Sequence, residues 1–201
     1  MLEADCIEEI LCKIKDKFVI SDDCECTIEV NPGTVDFTKL EKYREAGINR
    51  LSIGLQSCND NELKILGRIH DFKSFEDTFQ SARMLGFDNI NVDLMSSIPE
   101  QTVESFTWSL KRVIDLKPEH ISVYSLQIED GTEFAKRYGE DGPEKSKLPD
   151  EDADRAMYEL TGKLLEEAGY TRYEISNYAK PGFESRHNSS YWTGREYLGL
   201  G

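Results

Sequence analysis

The chain has 201 residues, with 24 Lys and Arg against 39 Asp and Glu, and a formal net charge of -15 at pH 7. A hydrophobic content of 38% beside a charged content of 31% is typical of a globular protein with one good-sized core. The excess of negative charge argues against a nucleic-acid backbone or an anionic membrane as a partner. The sequence contains no apolar run of membrane-spanning length and no recognisable secretory leader.

Cysteine usage and several missing motifs narrow the classes of function further. The five cysteines are odd in number and follow no framework spacing, which predicts reduced thiols in a cytoplasmic protein. Neither they nor the three histidines have the spacing of a zinc site. The chain lacks a Gly-x-Gly-x-x-Gly segment and a Gly-x-Ser-x-Gly segment, which argues against a Rossmann nucleotide site and against a hydrolase nucleophile elbow.

The first part of the chain is predicted to alternate between helices and strands. Residues 1–18 carry an apolar stripe at helical spacing, and residues 25–30 alternate in the manner of a strand. Thr34 is expected to cap a helix that closes at Gly47, a residue suited to a left-handed conformation. Residues 50–56 form the next predicted strand, because leucine and isoleucine alternate there with small or polar residues.

The same pattern continues to about residue 127 and then changes. Ser74 with Asp77 is expected to open a helix, and strands are predicted over residues 89–95 and 120–126. Residues 129–154 are acidic and rich in Gly and Pro, which predicts a long loop that can include one helical turn. A helix capped by Asp150, a strand over residues 170–176 and a turn at Pro181 are predicted to follow; these are all in the last quarter of the chain.

Polar residues stand close to the carboxyl ends of successive predicted strands. They are 27, 37 and 34 residues apart, the length of a β-α-β crossover unit, and they are Glu29, Gln56, Asp93 and Gln127. Parallel strands joined by right-handed crossovers would bring these side chains to one face of a sheet. Arg68 follows the helix after the second strand and can turn back toward that face. Any one of these residues alone is equally consistent with a solvated side chain or a helix cap.

The fold class that these patterns predict is α/β, an open arc of a (β/α) barrel. We expect the partial barrel to occupy residues 1–149 and a small α+β extension to begin at residue 150 and continue to 201. Pattern alone therefore predicts a partial barrel that holds a ligand, and it assigns no catalytic residue.

Four segments of the chain carry a resemblance to a known family. They are Glu29-Val-Asn-Pro32, Gly47-Ile-Asn-Arg-Leu-Ser-Ile-Gly-Leu-Gln56, Asp93-Leu-Met95 with Pro99-Glu-Gln-Thr102, and Tyr173-Glu-Ile-Ser-Asn177. Together they resemble the radical S-adenosylmethionine (SAM) proteins related to oxygen-independent coproporphyrinogen III oxidase. A further segment, His187-Asn-x-x-Tyr-Trp192, resembles the mark of the heme chaperone branch of that family.

The resemblance implies roles for specific residues. Five positions match SAM contacts, with the last of them contributing mainly through its backbone: Glu29, Gln56, Arg68, Asp93 and Gln127. His187 matches a proposed axial ligand of the heme iron, and Tyr191 and Trp192 are expected to pack on the porphyrin. The alternative for His187 is an ordinary surface histidine.

The chain departs from the family in its cysteines. The family holds a [4Fe-4S] cluster with Cys-x-x-x-Cys-x-x-Cys, and none of the five cysteines has that spacing. We therefore expect the chain to be the middle of a longer protein or a truncated relative, with the cluster in the full-length parent only. Expressed alone, it is expected to lack radical chemistry and to be prone to aggregation, because its first strand would expose an unpaired edge.

Three functions remain open at this stage. The resemblance favours part of a heme chaperone that binds SAM and heme and delivers heme to acceptor proteins. The alternative is an enzyme that decarboxylates coproporphyrinogen III oxidatively in porphyrin biosynthesis. The third is a degenerate barrel that binds neither ligand.

Overall fold

A single six-stranded sheet organises the computed structural model, which describes residues 3–199. Helices precede or follow most strands. In chain order the elements are α1 (Ala4–Lys17), β1 (Thr27–Val30), α2 (Phe37–Ala46), β2 (Arg50–Gln56), α3 (Asp60–Ile65), α4 (Phe72–Met84), β3 (Ile90–Ser96), α5 (Val103–Asp115), β4 (His120–Ser125), α6 (Glu133–Tyr138), α7 (Glu151–Glu167), β5 (Thr171–Arg172), β6 (Asn177–Ala179) and α8 (Arg186–Trp192).

The first four strands lie side by side in chain order and are parallel. β6 then pairs antiparallel with the start of β4, and β5 pairs antiparallel with β6 at the sheet's other edge. The sheet does not close on itself. The predicted parallel arc is therefore confirmed, and the fold is an open α/β partial barrel.

The two faces of the sheet have opposite chemistry, and β2 shows it most clearly. Leu51, Ile53 and Leu55 are fully buried in the hydrophobic core together with phenylalanines of α4 and α5. Arg50 and Ser52, on the alternate positions, line a cavity instead. Because strand side chains alternate between faces, the same division holds along neighbouring strands. The core thus lies between one face of the sheet and the helices, and we refer to the opposite, polar face as the inner face.

Two predicted helix starts are wrong by a few residues. Asp36, and not Thr34, caps α2, since its carboxylate accepts a hydrogen bond from the Lys39 backbone N–H at 2.8 Å. Thr34 instead donates to the Asn31 carbonyl at 2.7 Å in the preceding turn. Asp71 similarly caps α4, three residues before the predicted Ser74. Aspartate is among the strongest N-cap residues, so the nearby carboxylate takes the cap in both helices.

The left-handed helix end predicted at Gly47 is confirmed, with φ = 106°. A left-handed residue after α2 lets the chain reverse into β2 without strain, because glycine has no Cβ to clash. Thr102 forms a capping box with Ser105 at the start of α5, and Asp150 caps α7 as predicted.

The carboxyl-terminal part differs from the prediction. The long loop contains α6 and a 3-10 turn at Lys145–Lys147. The strand predicted over residues 170–176 is wrong, because only Thr171–Arg172 pairs before the chain leaves the ladder. The Glu174 carboxylate accepts a hydrogen bond from the Ser176 backbone N–H at 2.8 Å, which turns the chain before β6 begins. None of the described helices is long and apolar enough to cross a membrane.

Candidate functional site

A polar cavity of about 630 Å³ lies on the inner face of the sheet. Side chains from all four parallel strands line it, together with residues at the start of α8. Of the residues singled out from the sequence it contains Glu29, Gln56, Arg68, Asp93 and His187. The fold therefore brings four of the five predicted SAM contacts together with the predicted heme ligand.

Gln127 lies outside this cavity. Its side chain lines a neighbouring cavity of about 830 Å³, together with Asp154 and Tyr158 of α7. Tyr124 lines both cavities and stands between them. Since the role predicted for Gln127 is mainly a backbone contact, the direction of its side chain does not decide that role.

The carboxyl end of β2 carries Gln56 in an unusual backbone conformation. Gln56 has φ = 74°, in the left-handed region, and the pairing of β2 with β3 shifts register between Gly54 and Gln56. A Cβ on Gly54 would lie 3.1 Å from Asn31 Oδ1 and 3.2 Å from Gln56 Nε2. The irregularity therefore aims Gln56 across a position that has no side chain, as bulges beside functional sites commonly do.

Arg68 is the cation at the carboxyl end of the cavity. It is half-buried, and its Nη1 donates a hydrogen bond to Asn31 Oδ1 at 3.3 Å. Within residues 3–199 no carboxylate oxygen lies within 4.0 Å of its guanidinium nitrogens. Its remaining N–H groups are free to bind an acceptor, and a guanidinium fork suits a carboxylate.

The middle of the cavity holds a hydrogen-bond network centred on Asn91. Asn91 Nδ2 donates to Ser52 Oγ at 2.8 Å and to Asp93 Oδ1 at 2.7 Å. Its Oδ1 accepts from His120 Nδ1 at 2.6 Å and from Ser122 Oγ at 3.1 Å. This amide orientation is assigned from the partners, because a carboxylate only accepts hydrogen bonds and so must face the NH₂ group.

Asp93 belongs to this network, and its pKa is raised above the usual value of aspartate. Burial raises the pKa of Asp93, and the nearby Glu29 adds to the rise, while hydrogen bonds from Asn91, Ser122 and Ser52 partly offset it. Glu29 and Asp93 lie on either side of β2, opposite Ser52 and Gly54. Two carboxyl groups facing one cavity suit a ligand that carries hydroxyl or ammonium donors.

His120 is fully buried at the amino end of β4. Burial, with a smaller contribution from the nearby Arg50 guanidinium, lowers the pKa of His120 from 6.5 to about 3. The imidazole is therefore neutral, with Nδ1–H donating to Asn91 and Nε2 accepting from the Tyr173 hydroxyl at 2.7 Å. Asn91, Ser52 and His120 were not predicted as site residues from the sequence, although the alternation along β2, β3 and β4 was a signal for them.

His187 lies toward the opposite end of the cavity from Gln56 and Arg68. The segment that begins α8 is held by Glu25, which precedes β1 and accepts from the Arg186 backbone N–H at 3.3 Å. The Ser185 N–H also reaches the Tyr173 hydroxyl at 3.3 Å, beside the first residue of β4. The segment is thus anchored at the amino ends of the strands.

The three residues predicted to hold heme do not share one cavity. Tyr191 lies on the same side of α8 as His187, with ring centroids 5.0 Å apart and planes at 85°. Trp192 lines a separate cavity of about 330 Å³ with Tyr158 and Arg172. His187 and the two aromatic residues are all exposed, so an aromatic surface is open to a ligand next to the imidazole.

The described residues do not fit an iron–sulfur cluster. No group of three or more Cys, His, Asp or Glu side chains in residues 3–199 is arranged to hold a metal ion. All five cysteines are free, and they differ in exposure, with Cys58 buried and Cys26 half-buried.

A family model identifies the fold. The model for the radical SAM superfamily matches residues 2–113, the part of the chain that carries β1, β2, β3 and the cavity residues Glu29 to Asp93. The chain belongs to the radical SAM superfamily. The resemblance found in the sequence motifs is confirmed.

Several curated relatives match along all or most of the chain. The heme chaperone HemW of Haemophilus influenzae is 41% identical over 201 residues, which is 100% of this chain and 51% of the relative. HemW of Escherichia coli is 38% identical with the same coverage. The mitochondrial radical S-adenosyl methionine domain-containing protein 1 of Danio rerio is 38% identical over 182 residues, 90% of this chain and 40% of the relative. The chain spans about half the length of the curated relatives it matches.

Two solved structures share the fold. Coproporphyrinogen III oxidase (HemN) from Escherichia coli, a radical SAM enzyme, has a TM-score of 0.80 at 28% identity, and the match covers 96% of this chain and 43% of HemN. Elp3 of Methanocaldococcus infernus has a TM-score of 0.57 at 20% identity, and the match covers 70% of this chain and 33% of Elp3. The likeness to Elp3 concerns the fold alone.

Proposed function

We propose that the chain is the ligand-binding part of a heme chaperone, which binds SAM and heme and passes heme to acceptor proteins. The observation that carries the proposal is the inner-face cavity, in which a histidine and a set of SAM-type polar residues meet. The naming of full-length relatives as heme chaperones supports it.

SAM is proposed to bind toward the carboxyl ends of β1, β2 and β3. Glu29 and Asp93 would accept hydrogen bonds from the ribose hydroxyls or the ammonium group, and Gln56 would add an amide contact. Arg68 would pair with the SAM carboxylate, since it has no carboxylate partner among the described residues. Gln127 would contribute through its backbone.

Heme is proposed to bind at α8. The iron of heme has a coordination position that an imidazole nitrogen can fill. His187 would supply that nitrogen, and Tyr191 and Trp192 would pack on the porphyrin. We propose residues 1–149 as the partial-barrel unit and 150–201 as the extension that carries this heme surface.

A [4Fe-4S] cluster is proposed for the full-length parent only, because residues 3–199 contain no group of side chains that fits one. The chain alone is accordingly proposed to have no radical activity. A cytoplasmic location is supported by five free cysteines, three of them exposed, which suit a reducing compartment.

A second candidate function is oxidation of coproporphyrinogen III. It is favoured by the TM-score of 0.80 to HemN, the coproporphyrinogen III oxidase of Escherichia coli. Turnover of coproporphyrinogen by the full-length protein would favour this candidate.

The test of the chaperone proposal is a hemin titration followed by the Soret band. We expect His187→Ala to remove the band of the ligated iron and to weaken binding at least about tenfold, which is about 1.4 kcal/mol. Thr193→Ala, at the exposed end of the same helix, is the matched control and should bind as the unmodified chain does. Equal Soret spectra and affinities for His187→Ala and the unmodified chain would contradict the proposal.

A further inference from the structure

The inner-face cavity contains a buried cation that the proposed function leaves without a role. Arg50 is the first residue of β2 and is 4% exposed. It lines the cavity together with Glu25, Thr27 and His187. An arginine buried to this degree is normally paired with an acid.

Arg50 lacks such a partner. Its Nε is buried without a hydrogen-bond acceptor. No carboxylate oxygen of the described chain lies within 4.0 Å of its guanidinium nitrogens. Keeping a cation out of water in this way is unfavourable unless an acceptor is supplied. Among residues 3–199, Arg50 is thus a nearly buried charged side chain at this end of the cavity without a counter-ion, and its Nε is the guanidinium nitrogen that lies out of water without an acceptor.

The neighbours of Arg50 cannot serve as its counter-ion. His120 is neutral, and its two ring nitrogens are engaged by Asn91 and Tyr173. Burial raises the pKa of Tyr173, so its hydroxyl also stays neutral. The Glu25 carboxylate is turned to the start of α8, where it accepts from Ser185 Oγ at 3.5 Å and from the next backbone N–H at 3.3 Å.

We propose that Arg50 binds a propionate of the heme that His187 ligates. The inference rests on the proposed function and adds a carboxylate subsite to it. A guanidinium presents parallel N–H donors that match a carboxylate in a bidentate pair. The other charged side chain that lines the cavity at this end is the acid Glu25, so Arg50 is the group that makes a dianionic porphyrin acceptable there.

The position of Arg50 in the cavity favours a heme propionate over the SAM carboxylate as its ligand. Arg50 and Gln56 are the first and last residues of β2, which places them about 20 Å apart at ~3.3 Å per residue. Arg68 already stands near the Gln56 end as a cation with free donors. Arg50 stands at the end where α8 is anchored and shares the cavity with His187.

The experiment compares hemin with hemin dimethyl ester, in which both propionates are esterified and uncharged. The unmodified chain should bind hemin about tenfold to a hundredfold more tightly than the ester, the size of one charge-assisted hydrogen-bonded pair. Arg50→Gln should lower hemin affinity to the level of the ester and leave ester affinity unchanged. Arg44→Gln removes the same charge from the exposed side of α2 and should keep the full preference.

Further arms separate the possible failures. Arg50→Lys keeps the charge without the fork and should retain part of the preference, which guards against a misfolded Gln variant. S-adenosylhomocysteine should bind Arg50→Gln and the unmodified chain equally. Two results for Arg50→Gln would overturn the inference. One is weaker binding of S-adenosylhomocysteine with an unchanged ratio of hemin affinity to ester affinity, and the other is an equal decrease in the affinities for hemin and for the ester. Retention of the Soret band by His187→Ala would instead overturn the proposed function.

Discussion

His120 is a buried histidine whose ionisation is coupled to folding. Its pKa falls from 6.5 to about 3 in the folded chain, mainly because of burial. Between these two values the unfolded chain binds a proton that the folded chain does not. The free energy of unfolding must therefore fall as the pH is lowered through this window.

Two other titratable groups also make the free energy of unfolding depend on pH. His70 is buried against the Leu55 carbonyl, and burial lowers its pKa too, so it adds to the loss of stability at acid pH. Asp93 acts in the opposite direction, because its raised pKa means that the folded chain holds a proton longer. Its ionisation lowers stability as the pH rises through and above the usual range of aspartate.

We expect the free energy of unfolding, measured with urea, to be lower at pH 4.5 than at pH 7. His120 should account for about 2–3 kcal/mol of the difference, since each pKa unit is worth about 1.4 kcal/mol. His120→Gln, which cannot titrate, should reduce the pH dependence by about that amount. The expectation is wrong if both proteins lose the same stability between the two pH values.

At the scale of single elements, the helix caps show where local sequence is ambiguous. Thr34 and Asp36 are both able to cap a helix, and they are two residues apart. The structure assigns the cap to Asp36, whose carboxylate meets the Lys39 N–H, while Thr34 serves the turn before it. The choice depends on how the turn after β1 packs, which the local pattern does not contain.

Asp36→Ala should lower the free energy of unfolding by about 1 kcal/mol, because it leaves the first-turn N–H groups of α2 without an acceptor. Thr34→Ala should change it by less than about 0.5 kcal/mol, since it removes one partly exposed turn contact. Urea denaturation of both variants at pH 7 measures the difference. A larger loss for Thr34→Ala would mean that the cap is misassigned.

The strands also show which features the local sequence predicts and which depend on contacts between distant residues. The alternation of Leu51, Ile53 and Leu55 predicted β2 at its observed bounds. The strand expected over residues 170–176 failed because the chain leaves the ladder after Arg172. The Tyr173 hydroxyl there bonds to His120, 53 residues earlier in the chain, and the Glu174 carboxylate turns the chain by accepting from the Ser176 N–H. In the site, attention to strand ends found Glu29 and Gln56. It did not include the inner-face residues Arg50 and Asn91, although strand alternation was a signal for them, because they do not lie at the carboxyl ends of their strands.

At the scale of the whole molecule, one edge of the sheet and an apolar segment lie near each other in sequence. In the described part of the chain, β1 pairs only with β2 and stands at the end of the strand order. Phe18, Val19 and Ile20, shortly before it, are exposed. An unpaired strand edge beside apolar side chains is a common template for association between chains.

Val19→Lys should therefore reduce concentration-dependent association, measured by light scattering, because a charge in this segment opposes edge-to-edge contact. The free energy of unfolding should change by less than about 0.5 kcal/mol, as for other exposed sites. Met84→Lys, at an exposed apolar residue that ends α4, is the matched control and should leave association unchanged. Equal effects of the two substitutions would point to net charge as the cause.

The opposite chemistry of the sheet's two faces has an evolutionary consequence. Residues that pack the core and residues that face the ligand occupy alternate positions of the same strands, as Ile53 and Ser52 do. Substitutions at inner-face positions can therefore change which molecule the cavity binds, while the side chains that pack the core stay the same. Core packing and ligand contacts then change at different positions of the same strands.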